Sequence, residues 1–168
     1  RLEYAAARLA LASLSRGPRG LAGRLARGYT WLLDKAAPGL RRAALRNLEM
    51  ALPELSPEER RRIMARIFAS LARMLVSFAR FPTLNRGNIG EWIRYQAFEH
   101  FEEARKGGKG VLFATGHLGN WELSAFAHAF MAEPMNILVR PLDNPLIDAL
   151  VEARRTLSGN RLIEKKDS

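Results

Sequence analysis

The sequence predicts an α/β protein: a basic helical region over residues 1–81, then a parallel or mixed sheet with flanking helices over residues 82–168, cut short at its C-terminal side. Three observations predict it. A helix-start signature at residues 56–59 opens a long run of helical periodicity that stops at a proline. Strand-like and helix-like stretches alternate twice between residues 110 and 159, which is the pattern of βαβ units and a parallel sheet. Charge divides at the same boundary. Residues 1–81 hold 16 Lys and Arg against 6 Asp and Glu, whereas residues 82–168 hold 11 of each, so the whole net charge of +10 lies in the first half. Such asymmetry suits an anionic membrane surface or a nucleic acid. At 168 residues the chain suits one domain and can bury a real core.

Residues 1–15 and 21–36 are two Ala- and Leu-rich helical stretches, broken by Arg16-Gly17-Pro18-Arg19-Gly20, since glycine and proline interrupt helices. The second sets Leu21, Leu25, Tyr29, Leu32 and Leu33 at helical spacing and leaves Arg24, Arg27 and Lys35 for a polar side. Tyr29 and Trp31 are residue types that favour a membrane–water boundary. The same helix equally suits packing on the rest of the chain, and one helix can do both. Pro38-Gly39 precedes a third helix over about residues 40–51. Ser56-Pro57-Glu58-Glu59 then puts serine at the N-cap, proline at the first helical position and glutamate at the third, a capping box. The helix it opens carries Ile63, Ile67, Leu71, Leu75 and Phe78 on one face and ends before Pro82.

Residues 83–90 read as a Gly/Asn loop, Trp92 to Tyr95 as a short strand, and Phe98 to Arg105 as a short helix. Val111 to Ala114, an apolar run flanked by glycines, predicts a buried strand. A turn at Gly116-His117 leads into a helix near Gly119 or Asn120, with Leu123, Phe126 and Phe130 at helical spacing. Asn136 to Val139 predicts a second buried strand ending at Arg140. Asn144 as N-cap and Pro145 as first residue start another helix, which stops at Gly159.

This order places His117 at the carboxyl end of a strand, where open α/β sheets bind their ligands. Glu122 follows five residues later in the first turn of a helix. A carboxylate there is placed to hold one imidazole nitrogen and leave the other for a hydroxyl proton, as a general base requires. Gly116 and Gly119 leave room beside the backbone, and the helix start offers N–H groups to an anion. Arg140 is expected one strand from His117 at the same end of the sheet, as a clamp for phosphate or carboxylate. His100 reads as solvated and His128 as packing. With no cysteine and only these three histidines, disulfides and thiolate zinc sites are excluded and little remains for any metal.

His117-Leu118-Gly119-Asn120-Trp121-Glu122 resembles the His-x4-Asp/Glu motif of glycerolipid-type acyltransferases, and in particular the bacterial lipid A biosynthesis (lauroyl/myristoyl) acyltransferase family. Arg46-Asn47-Leu48, Pro53-Glu54-Leu55-Ser56 and Arg60 resemble that family's N-terminal helical region independently of the histidine motif. The resemblance covers roughly residues 20–168. It implies a glycerolipid acyltransferase-like fold and transfer of a fatty acyl group from acyl carrier protein or coenzyme A to a hydroxyl of a phosphorylated glycolipid acceptor. In that scheme His117 is the general base, Glu122 orients and charge-balances it, and Arg140, Gly119 and Asn120 hold substrate. No metal or cofactor is needed, because a thioester is already activated. The resemblance also implies the cytoplasmic face of the inner membrane and a longer protein, of which these residues are a piece. Arginine at position 1 agrees with a piece.

The competing reading is a non-catalytic basic helical protein on anionic lipid or nucleic acid. Specific nucleic-acid binding is disfavoured, because the arginines spread over several helices without aromatic interleaving. A hydrolase lacks its Gly-x-Ser-x-Gly elbow. Gly-His-Leu-Gly-Asn-Trp-Glu separates the readings, since a merely charged module has no use for it.

Overall fold

The computed structural model describes residues 1–165. Four helices come first: α1 (Leu2–Ser15), α2 (Arg19–Ala36), α3 (Pro38–Ala51) and α4 (Pro57–Ala79). Two 3₁₀ turns, Phe81–Thr83 and Ile89–Glu91, lead to α5 (Phe98–Lys106) and α6 (Trp121–Met131). Strand β1 (Asn136–Val139), helix α7 (Pro145–Arg155), a 3₁₀ turn at Thr156–Ser158 and strand β2 (Arg161–Glu164) complete the order.

Helix α4 is the element the others pack on, touching α1, α2, α3 and α6. Its start is the capping box the sequence predicts: Glu59 N–H donates to Ser56 Oγ, and Ser56 N–H donates to the Glu59 carboxylate at 2.8 Å. Its inner face follows the expected line of large residues only in part, with Leu75 and Phe78 packing on the core. Ile67 is exposed, and the deeply buried positions are Met64, Ala72, Ser77 and Ala79. Ala72 and Ala79 meet Ala22 and Ala26 of α2 in one core with Leu11 and Leu14 of α1. Small side chains let the helix axes approach closely, so burial there follows size as well as period. A second core joins Phe81, Leu84, Ile89, Leu123, Phe126 and Ala127. Phe81 and Phe126 stack at 4.0 Å between ring centroids, each burying a side chain worth roughly 1.5–3 kcal/mol. Phe78 packs against both cores.

Strands β1 and β2 pair in parallel, with Asn136 opposite Arg161 and Val139 opposite Glu164, and α7 crosses between them. A βαβ unit is therefore present, one unit later than the sequence places it. Val111 to Ala114 is not a strand: Leu112 is fully exposed and Phe113 half-exposed. Among the described residues no strand lies beside it, and a run of apolar residues without a ladder partner leaves its N–H and C=O groups to water. Trp92 to Tyr95 is likewise irregular. β1 forms but is not buried, since Leu138 is exposed, and β2 was not expected.

Side chains bind the early helices to the later elements. Arg80 donates to the carbonyls of Leu14, at 3.2 Å, and Gly17, at 2.7 Å, occupying the C-terminal end of α1. Asn144 caps α7 through Oδ1 and donates its amide hydrogen to Glu3 of α1 at 2.8 Å. Buried Asn160 donates to the Ala125 carbonyl of α6 at 2.9 Å and accepts Met135 N–H at 3.0 Å, fixing where β1 begins.

Candidate active site

The segment that carries His117 is shaped by its backbone. His117 has φ of 55° and Gly119 φ of 70°, so two left-handed residues within three positions make a tight turn into α6. Glycine takes that region at little cost, whereas histidine does so with strain, of the kind that collects at functional sites. His117 N–H donates to Thr115 Oγ1 at 3.2 Å, and its ring stands edge-on to Trp121 at 5.4 Å. The ring is exposed. A Cβ added at Gly119 would meet nothing within 4 Å, so the room the sequence implies beside this backbone is present.

Asn120 is the N-cap of α6, its Oδ1 accepting Leu123 N–H at 3.2 Å. Its Nδ2 donates to Ser77 Oγ of α4 at 2.7 Å, and Ser77 in turn donates to the Met74 carbonyl. The amide is thus used at both ends, building the turn and fastening it to the central helix. Ser77 has no marker in the sequence beyond being a polar residue beside an apolar face.

Glu122 lies in the first turn of α6, as expected, but its partner differs. Both oxygens are taken by Arg155 of α7, with Nε to Oε2 at 2.9 Å and Nη2 to Oε1 at 2.5 Å. The side chains are 14% and 21% exposed. The Glu122 carboxylate holds the Arg155 guanidinium above its usual pKa range, against the opposing effect of burial. No hydrogen bond joins Glu122 to His117 among the described residues. The expected His117–Glu122 hydrogen bond is therefore replaced here by a bidentate ion pair, because a guanidinium fork matches a carboxylate better than one imidazole nitrogen does. The available signal was Arg154-Arg155 in the last turn of the helix that Asn144 and Pro145 start.

Arg140 is set apart from this cluster. Its side chain is 82% exposed and, among the described residues, its ion pair is with Asp143 at 3.7 Å. Its expected place one strand from His117 does not arise, since Val111 to Ala114 is not in the sheet. His100 is exposed on α5. His128 is 2% exposed, its ring edge-on to Phe101 and Phe113, each at 4.8 Å, and its Nδ1 hydrogen-bonded to the Tyr95 hydroxyl. It packs, as the sequence suggests. No cluster of His, Cys, Asp or Glu able to hold a metal ion occurs among the described residues.

Comparison with known proteins bears on what this turn belongs to. The family model described as bacterial lipid A biosynthesis acyltransferase matches residues 4–168. The chain is 33% identical over 122 residues to the lipid A biosynthesis lauroyltransferase of Escherichia coli, covering 73% of this chain and 40% of that protein. It is 28% identical over 142 residues to a lipid A biosynthesis acyltransferase of Haemophilus influenzae, covering 83% and 45%. With the lipid A biosynthesis myristoyltransferase of Escherichia coli it shares 28% identity over 127 residues, covering 76% and 39%. The chain thus spans less than half the length of these relatives. No solved structure matches it. With a family match that runs across nearly every residue described, the chain belongs to the bacterial lipid A biosynthesis acyltransferase family.

Proposed function

We propose that the protein these residues belong to is an O-acyltransferase of lipid A-type biosynthesis. It would move a fatty acyl chain from acyl carrier protein, or from coenzyme A, to a hydroxyl of a phosphorylated glycolipid. The observation that carries this reading is the strained, exposed His117 on the turn into α6, within a chain of this family. In the reaction, His117 takes the acceptor hydroxyl proton as the oxygen attacks the thioester carbonyl carbon. The carbon–sulfur bond of the tetrahedral intermediate then breaks, and the imidazolium returns its proton to the departing thiolate. Glu122 balances the imidazolium charge, and the α6 start with Gly119 and Asn120 accommodates the developing oxyanion. The thioester is the activated species, so this scheme calls for no resident cofactor. The fold of the whole catalytic domain in this reading is the α/β glycerolipid acyltransferase type.

A lipid acceptor has to be met at a surface. Helices α2 and α3 expose Leu21, Trp31, Leu32, Leu33 and Leu40 among Arg24, Arg27 and Lys35, a combination suited to the anionic cytoplasmic face of the inner membrane. No helix among the described residues is long and apolar enough to cross a membrane.

The test uses the full-length protein and a labelled acyl group on acyl carrier protein. His117→Ala is expected to lower transfer by about 10²- to 10⁴-fold, the usual contribution of a general base, with an unaltered thermal melt. Glu122→Gln is expected to cost less. Near-normal turnover by His117→Ala makes His117 a structural residue and removes this mechanism.

A further inference from the structure

Helix α4 carries five arginines, and they divide by face. Arg60 pairs with Glu49 of α3, and Arg61 pairs with Glu58. Arg62, Arg66 and Arg73 are exposed, and among the described residues none of them stands in an ion pair. The carboxylates of the first turn are committed, Glu58 to Arg61 and Glu59 to the Ser56 cap. Offsets of four and seven put the three free arginines on one side of the helix, and a further four reach Ser77. Ser77 Oγ accepts from Asn120 Nδ2 at 2.7 Å, the bond that fastens the His117 turn to α4. At 1.5 Å per residue the stripe starts roughly 22 Å from Ser77 and ends roughly 6 Å from it.

We propose that this stripe docks an acidic protein, the carrier on which the acyl thioester arrives. The inference rests on the acyltransferase reading above and adds where its donor binds. Arg62 and Arg66, four apart, repel each other along the helix, and a negatively charged partner removes that cost. A bilayer is less well met here. Ser70 stands between the arginines and Ile67, 37% exposed, at their flank, so the stripe has no broad apolar side to insert. The exposed leucines and Trp31 lie on α2, which α4 meets through Ala72 and Ala79, roughly 100° round the helix from Arg73. At the start of α4, Leu55 and Ile63 line a shallow groove with Glu59, Arg62 and Arg66. Apolar residues ringed by cations suit an acidic protein surface that offers one apolar side chain. A carrier seated on the stripe has the His117 turn at one end of its footprint, within the span of an extended pantetheine-type thioester arm.

The test uses the full-length protein and two donors, the acyl group on acyl carrier protein and the same group on pantetheine alone. The triple change Arg62→Glu, Arg66→Glu and Arg73→Glu is expected to raise KM for the carrier donor roughly 10- to 100-fold, with kcat within about twofold. Turnover of the pantetheine donor and the thermal melt are expected to stay as they are. Added salt should raise the wild-type KM for the carrier and change the variant's little, because exposed charges are screened. Labelled acyl carrier protein, followed by fluorescence anisotropy, is expected to bind the wild type and to lose affinity for the variant by a similar factor. The corresponding triple change to Gln removes the charges without adding new ones. It serves if the reversal melts early, with a smaller loss in the same direction. Equal losses with both donors, or an unchanged KM and anisotropy, overturn the docking role. So does a variant that loses vesicle sedimentation and keeps carrier binding, which gives the stripe to the membrane. A wild-type protein that transfers from neither donor removes the acyltransferase reading itself, and the anisotropy still decides the docking surface.

Discussion

His128 and His117 sit eleven residues apart and are held in opposite ways. Burial among Phe101, Phe113 and Tyr95 pushes the His128 imidazole below its usual pKa, with Glu133 acting weakly against it. The unfolded chain therefore binds more protons than the folded one as pH falls through about 6.5. Stability from this group is present above that value and lost below it. The melting temperature is expected to fall between about pH 7.5 and 5.5, above the range in which ordinary carboxylates titrate, and His128→Phe is expected to flatten that slope. A slope unchanged in the variant would assign it elsewhere. At this scale the sequence was informative where chemistry is local. Histidine, glycine and glutamate at fixed offsets identify a turn and a helix start, and the turn and helix start are there. Arg155 was not legible, because its partner lies 33 residues away and only the fold, in which the 3₁₀ turn after α7 meets α6, brings them together.

Helix ends were legible for a related reason: a cap is written within four residues. Ser56, Pro57 and Glu59 start α4, Asn144 and Pro145 start α7, and both begin where their capping residues say. Ser56→Ala is expected to cost about 1 kcal/mol, read as a lower denaturant midpoint with the slope unchanged. Asn160→Ala should cost more, roughly 2–4 kcal/mol, because the buried amide's bonds to the Ala125 carbonyl and from Met135 N–H are lost together; a loss below that of Ser56→Ala would show that water replaces it. Strands were less legible. Val111 to Ala114 has strand composition, and a strand is a relation between two segments rather than a property of one. Arg161 to Glu164, with charge at both ends, lacks that composition and yet pairs with β1.

Over the whole molecule, the net positive charge falls on the early helices, beside exposed apolar residues such as Leu21, Trp31 and Leu32. Residues 1–165 are expected to sediment with anionic vesicles and far less with neutral ones, each well-placed arginine contributing about 1 kcal/mol near the surface; equal binding to both lipids would rule out an electrostatic share. The contact between Glu3 and Asn144 has a further consequence, in time rather than in space. It spans 141 residues, and Leu150 of α7 completes the core that Leu11 and Leu14 of α1 begin. On the ribosome, α1 can meet α2 and α4 as they emerge, yet one side of it stays wet until α7 has been made. Such a long closure is entropically costly and comes late. Among the described helices, the earliest in the sequence is thus among the last to finish folding, and until then its uncovered leucines are what a chaperone would find.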